Sequence, residues 1–353
     1  MLSIRYWNNL HFTAPPRGTM ARIAITDGMA DEAQKALLNM GHELVVETVS
    51  EDDLVKGYLR EFDAIIVRSN TKLTAAVISA SIAQDGRLMV IARAGVGIDN
   101  IDLEAASEHG IMVVNAPRAS TQSVVELTIG HLLASIRHLP RADAGLRAGN
   151  WEKKILKGSE LSGKAIGFIG FGRIAQGVGR VATAFGMELH AYDPYLPPKI
   201  ARDMNCRLHA RVDDVFRMCT HISVHCNLSD ETYHLVNSER IDLMPGVSPQ
   251  GIQCGNHIVN CARGGIVDED AVLVALHRGQ LTSVALDVFE NEPINPDSEL
   301  IQHPHFHGTP HIGAATKEAQ YRVGMDIGRA VDTALRTKTC ETLVNSGVKI
   351  RTV

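Results

Sequence analysis

Aromatic side chains are scarce in this chain, 5% of 353 residues, although 45% are hydrophobic and 30 are glycine. That composition supports sizeable aliphatic cores, excludes general disorder, and suits an α/β protein with tight strand-to-helix turns. A dominant charge of one sign is missing too: 35 Lys and Arg against 40 Asp and Glu leave a formal charge of −5. Such a balance gives no electrostatic footprint for nucleic acid or an anionic membrane, and neither is expected as a partner. No apolar run approaches the roughly 18 residues of a membrane span. The six cysteines, Cys206, Cys219, Cys226, Cys254, Cys261 and Cys340, include no CxxC pair and no zinc-ligand spacing. A chain of this length does not need staples, so reduced thiols in a reducing, cytoplasmic compartment are expected. The length predicts two domains, or three.

Residues 1–20 carry Arg5 and Arg17 but no acid, and Met20 stands just before the first strand pattern. They read as an extension: disordered, a presequence, or a start set too early. From Arg22 the pattern alternates. Short β-branched, apolar stretches at 22–26, 63–67, 88–91 and 111–114 are separated by amphipathic helix patterns at 31–40, 52–60, 75–83 and 103–109. That βαβα order calls for a mostly parallel sheet covered on both faces. A long helix is predicted over 120–138, ending near Pro140. A second alternating series runs from about 164 to 304, and a last helix is predicted over 316–336. Residues 245–257 (PGVSPQGIQCGNH) are polar and turn-rich, and read as a mobile surface loop.

The strongest local signal is KAIGFIGFGRIAQGVGRVATAFGMELHAYD, residues 164–193. An apolar strand feeds Gly170-x-Gly172-x-x-Ala175, an amphipathic helix follows, and a second strand ends in Asp193. Gly170 permits the tight turn, Gly172 lets backbone approach a pyrophosphate, and Ala175 is small where helix meets strand. The N–H groups near Arg173 and Ile174 open the helix toward the phosphates. Asp193 stands where a carboxylate binds the adenosine ribose and repels a 2′-phosphate, so NAD is expected rather than NADP.

Three downstream blocks are each a strand running into a turn: IVNCARGGIVDED (258–270), ALDVFENEP (285–293) and TPHIGAAT (309–316). They offer Arg263, Glu292 and His311. Singly, these could be a surface arginine, a turn acid before proline and a core histidine. Together they fit one reaction, because an α-hydroxy or α-keto acid needs a cation, a titrating acid/base and a group that tunes that base.

With these blocks beside IIVRSNTKLT, ARAGVGIDNIDLEAA and GFIGFGRI, the chain resembles the D-2-hydroxyacid dehydrogenase family over about 22–330. The resemblance implies an α/β fold of two Rossmann-like, doubly wound domains with a cleft between them. The catalytic domain would be discontinuous, 21–116 and 309–340, the NAD domain would be 117–308, and 341–353 would be a tail. It implies that Arg263 binds substrate carboxylate and carbonyl, that His311 is the acid/base, and that Glu292 raises the imidazole's pKa. NAD contacts would include Val96, Gly170, Gly172, Arg173, Ile174, Asp193, Cys226, Cys261, Ala262, Arg263, Asp287, His311, Gly313 and Ala314. Backbone N–H groups of Gly95, Val96 and Gly97 would hold the substrate carboxylate. Arg137 would reach toward a neighbouring subunit's site, so a homodimer is expected, with a tetramer as the larger alternative.

Departures from the family pattern are Asn227 in place of a usual proline, Val96 at a position often threonine, and about eight extra residues in 245–257. The chain also ends soon after the last helix, so the C-terminal regulatory domain of longer members is not expected. Arg68 and Arg93, each near a strand end, are ordinary surface charges or a site for a phosphate on the substrate. His303, His305 and His307 alternate, which on a strand would align three imidazoles, but prolines interrupt the segment and no metal site is expected. The rival functions are reduction of hydroxypyruvate or glyoxylate and, from a different class, an NAD-sensing transcriptional corepressor.

Overall fold

The computed structural model describes residues 20–351, and the expectations for the nineteen residues before them lie outside it. The chain divides into two compact units, one formed by the residues up to Ser120 with those from Thr316 onward, the other by Thr121–Ala315. The sequence reading set these divisions at 116/117 and 308/309. Residues 309–315 belong to the second unit because the Asp287 carboxylate holds the backbone N–H groups of Ile312 and Gly313, each at 2.8 Å.

The first unit is a five-stranded parallel sheet of β1 (Arg22–Ile25), β2 (Glu43–Val46), β3 (Ala64–Val67), β4 (Val90–Arg93) and β5 (Met112–Asn115), in the order β2-β1-β3-β4-β5. Helices include α1 (Asp31–Asn39), α2 (Ala75–Ile82) and the C-terminal helix Lys317–Thr337. Both faces are covered, so successive residues of a strand are buried on opposite sides. Ile23, Ile66 and Val114 pack with Leu37 and with Val323, Ile327 and Val331 of the C-terminal helix. Ile65, Ile91 and Val113 pack with Val77 and Ile78 of α2 on the other face. This two-sided burial explains why the strands read as continuous apolar runs.

Two local expectations change. The strand β2 was not predicted; its ELVV sequence is apolar at Leu44, Val45 and Val46 but forms an exposed-to-half-buried edge strand. The 52–60 helix is a single turn and a half, Glu51–Val55, followed by a 3-10 turn. Residues 341–351, within the expected tail, pack against the first unit's sheet. Leu343 bridges Val114 at the sheet edge, the Val113 N–H donates to Asn345 Oδ1 at 2.9 Å, and Asn345 Nδ2 donates to the Ile111 carbonyl at 2.9 Å. The segment satisfies backbone groups that edge strand β5 would otherwise leave open.

The second unit holds seven parallel strands: β6 (Ala165–Ile169), β7 (Glu188–Tyr192), β8 (Cys206–Leu208), β9 (His221–Val224), β10 (His257–Asn260), β11 (Ser283–Leu286) and β12 (Phe306–Gly308). Their order is β12-β11-β10-β9-β6-β7-β8. Strand order reverses at β6, and ligands of such sheets bind outside the carboxyl ends of the strands at that switch point. The main helices used below are α3 (Thr121–Ile136), α4 (Leu139–Arg147), α5 (Arg173–Ala184) and α6 (Glu269–His277). The long helix expected over 120–138 is α3, which ends at Ile136, and Pro140 opens the next helix, in the first turn of α4, where a missing N–H costs nothing.

Residues 245–257 are also better ordered than predicted. Val247 bridges Gln253, and Ser248, Cys254 and Asn256 are buried. Asn256 ties the segment's root together: its Oδ1 accepts from the Gly246 N–H at 2.8 Å and its Nδ2 donates to the Gln280 carbonyl at 3.0 Å. The tip, 249–253, is exposed, as is Pro245 at the start of the segment.

Candidate active site

Strand β6 delivers Gly170 into a left-handed conformation, φ +83°, where a Cβ would come within 2.9 Å of the Cys226 backbone nitrogen. Gly172 caps α5, and no atom lies within 4 Å of where its Cβ would be. That open cradle, at the positive end of a twelve-residue helix starting at Arg173 and Ile174, fits a pyrophosphate. Asp193, at the end of β7, is fixed by the N–H groups of Phe171 at 2.8 Å and Tyr195 at 3.0 Å. The carboxylate is therefore braced beside the glycine turn, where a ribose would meet it. Cys226 and Cys261 are weak nucleophiles, since burial pushes their thiols up to about 11 and about 12.

The catalytic candidates come from the carboxyl ends of β10, β11 and β12. Asn260, the last residue of β10, folds the Arg263 turn: its Oδ1 accepts from Ala262 N–H at 2.9 Å and its Nδ2 donates to the Arg263 carbonyl at 2.8 Å. Arg263 is half-buried and its Nη1 donates to the Ala262 carbonyl at 2.6 Å. Gly264 must lack a side chain, because a Cβ there would overlap the Phe289 carbonyl. Asn260 and Gly264 were not singled out from sequence; an amide at a strand end before a turn is the signal that could have marked the first.

After β11 the chain turns so that Glu292 Oε1 accepts from the Phe289 N–H at 3.0 Å, while Oε2 lies 2.7 Å from His311 Nδ1. Burial pushes the Glu292 carboxyl up. The hydrogen bonds from His311 and Phe289 and the charges of His311 and Arg263 outweigh it, and the net shift is downward. His311 itself is in the left-handed region, φ +51°, an uncommon backbone state for a non-glycine residue. With Nδ1 directed at Glu292, Nε2 is the nitrogen left for a substrate proton. The turn is held by Asp287, which is buried and accepts from Thr309 Oγ1 at 2.6 Å as well as from Ile312 and Gly313. Burial raises the Asp287 carboxyl despite those bonds.

The other candidates belong to other elements. In the first unit, the Arg68 N–H donates to Asp27 Oδ2 at 2.7 Å, and its carbonyl accepts from Asn100. A cavity of about 470 Å³ opens beside it, lined by Asp27, Thr48, Glu51, Asn70, Thr71 and Lys72 among others. Arg93 Nη1 donates to the Ala94 carbonyl at 2.9 Å, so its guanidinium lies over the loop of Gly95, Val96 and Gly97. That loop is fixed by Asn115 Nδ2 on the Val96 carbonyl at 2.8 Å. Arg137 is exposed just beyond α3 in the second unit.

The alternating histidines pack ring on ring: His303 lies 5.7 Å from His305, and His307 lies 5.2 Å from His131. Among the described residues, one group of three brings metal-ligand atoms within 4.8 Å, His234 with Asp268 and Glu290. The carboxylates face opposite ring nitrogens, Asp268 at Nδ1 (3.6 Å) and Glu290 at Nε2 (2.9 Å), so the imidazole is held between them.

Comparison with known proteins bears on this arrangement. A family model described as the NAD-binding domain of D-isomer-specific 2-hydroxyacid dehydrogenases matches residues 129–313. The D-3-phosphoglycerate dehydrogenase of Methanocaldococcus jannaschii is 43% identical over 329 residues, covering 92% of this chain and 60% of that protein. The hydroxypyruvate reductase of Thermotoga maritima is 42% identical over 309 residues, 87% of this chain and 95% of that one. The cofactor (NAD+)-bound crystal structure of 3-phosphoglycerate dehydrogenase from Entamoeba histolytica is similar with a TM-score of 0.74 at 27% identity, covering 93% of this chain and 99% of its own. The chain thus spans about 60% of the length of the Methanocaldococcus relative. The family model and the NAD-bound neighbour show the cofactor to be NAD.

Proposed function

Because the chain belongs to the D-isomer-specific 2-hydroxyacid dehydrogenase family, we propose that it oxidises 3-phosphoglycerate to 3-phosphohydroxypyruvate, the first step of the phosphorylated route to L-serine. The observation that carries the reading is the 2.7 Å His311–Glu292 pair standing at strand ends with Arg263. Arg263 binds the carboxylate and the C2 oxygen of the substrate, and holds that oxygen as it becomes a carbonyl. His311 Nε2 removes the hydroxyl proton, and Glu292 stabilises the imidazolium that forms. NAD, when bound, accepts the hydride that leaves C2. Electrons and proton balance: the hydride goes to the nicotinamide and the hydroxyl proton to His311.

A phosphate on the substrate gives Arg68, Arg93 and Arg137 a purpose that a small acid does not. Arg68→Ala should raise KM for 3-phosphoglycerate by the equivalent of about 1.5–3 kcal/mol, the range for hydrogen bonds to charged groups. Unphosphorylated 2-hydroxy acids should be little affected; equal losses would make Arg68 structural. The second reading, reduction of hydroxypyruvate or glyoxylate, is favoured by the Thermotoga relative, whose length this chain nearly spans. A corepressor would need no Arg263–His311–Glu292 set. Following reduced nicotinamide with 3-phosphoglycerate, hydroxypyruvate and glyoxylate in turn separates all three, and no turnover with any of them rejects the enzyme reading.

The reading includes a homodimer through α4. None of its residues is buried, and Leu139, Leu146, Trp151 and Ile155 expose apolar surface along and after it. A face of this kind on a folded unit calls for a partner. Sedimentation of the full chain should give a dimer or tetramer, and charged residues at Leu146 and Trp151 should release monomer.

A further inference from the structure

We propose that His131 is a positioning residue for the acid/base: through Thr309 and Asp287 it holds the turn that presents His311. The connection is continuous. His131 Nε2 lies 3.0 Å from Thr309 Oγ1, and Thr309 Oγ1 donates to Asp287 Oδ1 at 2.6 Å. Asp287 Oδ1 and Oδ2 accept from Ile312 and Gly313, and the Asp287 carbonyl accepts from the His311 N–H at 2.8 Å. A threonine hydroxyl has one proton. Since that proton goes to the carboxylate, Thr309 must accept from His131, which sets the imidazole as the Nε2–H tautomer.

Burial keeps His131 neutral, lowering its pKa to about 4. His307 is likewise held at about 4 by burial, and its ring packs 5.2 Å away from that of His131, tilted by 35°. The donor therefore has one charge state and a fixed ring plane at neutral pH. Eight residues earlier on α3, roughly two helical turns, Ser123 Oγ donates to the Gly313 carbonyl at 2.6 Å. Helix α3 thus grips the His311 turn on both sides: His131 at Thr309, Ser123 at Gly313. A left-handed histidine between two such anchors depends on its surroundings to stay there.

This inference rests on the proposed function only for its effect on turnover. In the full-length protein, His131→Leu should lower kcat by about tenfold while KM for NAD stays within about twofold. His131→Gln, whose amide can donate from nearly the same point, should recover most of the loss. Thr309→Val should match His131→Leu, and the double variant should be no worse than either, because both break one chain. Hydrogen–deuterium exchange supplies a readout free of activity: the amides of 309–315 should exchange faster in His131→Leu, with β12 and the rest of α3 unchanged. Unchanged exchange at 309–315 overturns the proposal even if the protein turns over no 2-hydroxy acid. Independent, multiplying losses in the double variant also overturn it, as does loosening spread over α3 and β12, since either makes His131 a packing residue.

Discussion

A carboxylate beside an imidazole changes which partner holds the proton, and that is the residue-scale content of the site. Burial is the largest influence on the Glu292 carboxyl and raises it, but the hydrogen bonds from His311 and Phe289 and the charges of His311 and Arg263 together bring it below its ordinary range. Glu292→Gln removes the charge 2.7 Å from His311 Nδ1 and should therefore shift the pH–rate profile measured for oxidation. A profile that stays in place would mean that the pair does not titrate together. His311→Ala should cost about 10²–10⁴-fold in turnover, the usual weight of general acid–base catalysis, while NAD titrations stay near normal. Near-normal turnover would remove His311 from its role. Asp193 belongs to the same scale. Its two braced oxygens leave no freedom to swing from a 2′-phosphate, so Asp193→Ala should weaken NAD and relax discrimination against NADP. An unchanged NAD-to-NADP ratio would place ribose recognition elsewhere.

At the scale of elements, 245–257 separates a root from a tip. Asn256 is buried and its amide joins Gly246 to the carbonyl of Gln280, whereas Ile252 at the tip is exposed. Asn256→Ala should destabilise by about 2–3 kcal/mol in urea, through loss of buried hydrogen bonds. Ile252→Ala should stay within about 0.5 kcal/mol. Equal effects would mean that the tip packs or that the root does not. The same contrast explains what could be read from the sequence. The turns that carry Gly170, Asp193, Arg263, Glu292 and His311 are local motifs at strand ends, and a parallel sheet brings such ends to one edge. Hence Glu292 and His311, nineteen residues apart, meet at 2.7 Å as their chemistry suggested. The root of 245–257 was misread because its turn residues look alike whether the backbone is solvated or pinned by one buried amide. Strand β2 was missed although its apolar run, Leu44 to Val46, could have marked it. His131 was invisible for a further reason: Thr309, its partner, lies 178 residues away, and a histidine on an apolar helix face looks like core.

At the scale of the whole molecule, buried histidines are distributed unevenly. Burial, the leading cause for each, lowers His131, His190, His257 and His307 to about 4 and His225 to about 3, and holds His221 well below its ordinary value. All six lie in the unit Thr121–Ala315. Each is neutral in the fold, while the unfolded chain takes up a proton near pH 6.5, so between that pH and about 4 the unfolded state binds more protons. Stability is therefore lost as pH falls through this window, by up to about 3 kcal/mol for one group shifted from 6.5 to about 4. The raised carboxyls of Asp287 and Glu269 act in the opposite sense, but in the carboxylate range at the lower end of the window. Thermal unfolding should accordingly fall steeply between pH 7 and pH 5, by roughly 10 °C or more for a unit of this size. Hydrogen exchange at pH 5 should show protection lost first within 121–315, before β1–β5 and the C-terminal helix. A melting temperature flat over that range, or loosening that starts in the five-stranded sheet, would show that the imidazoles find protons or water without unfolding.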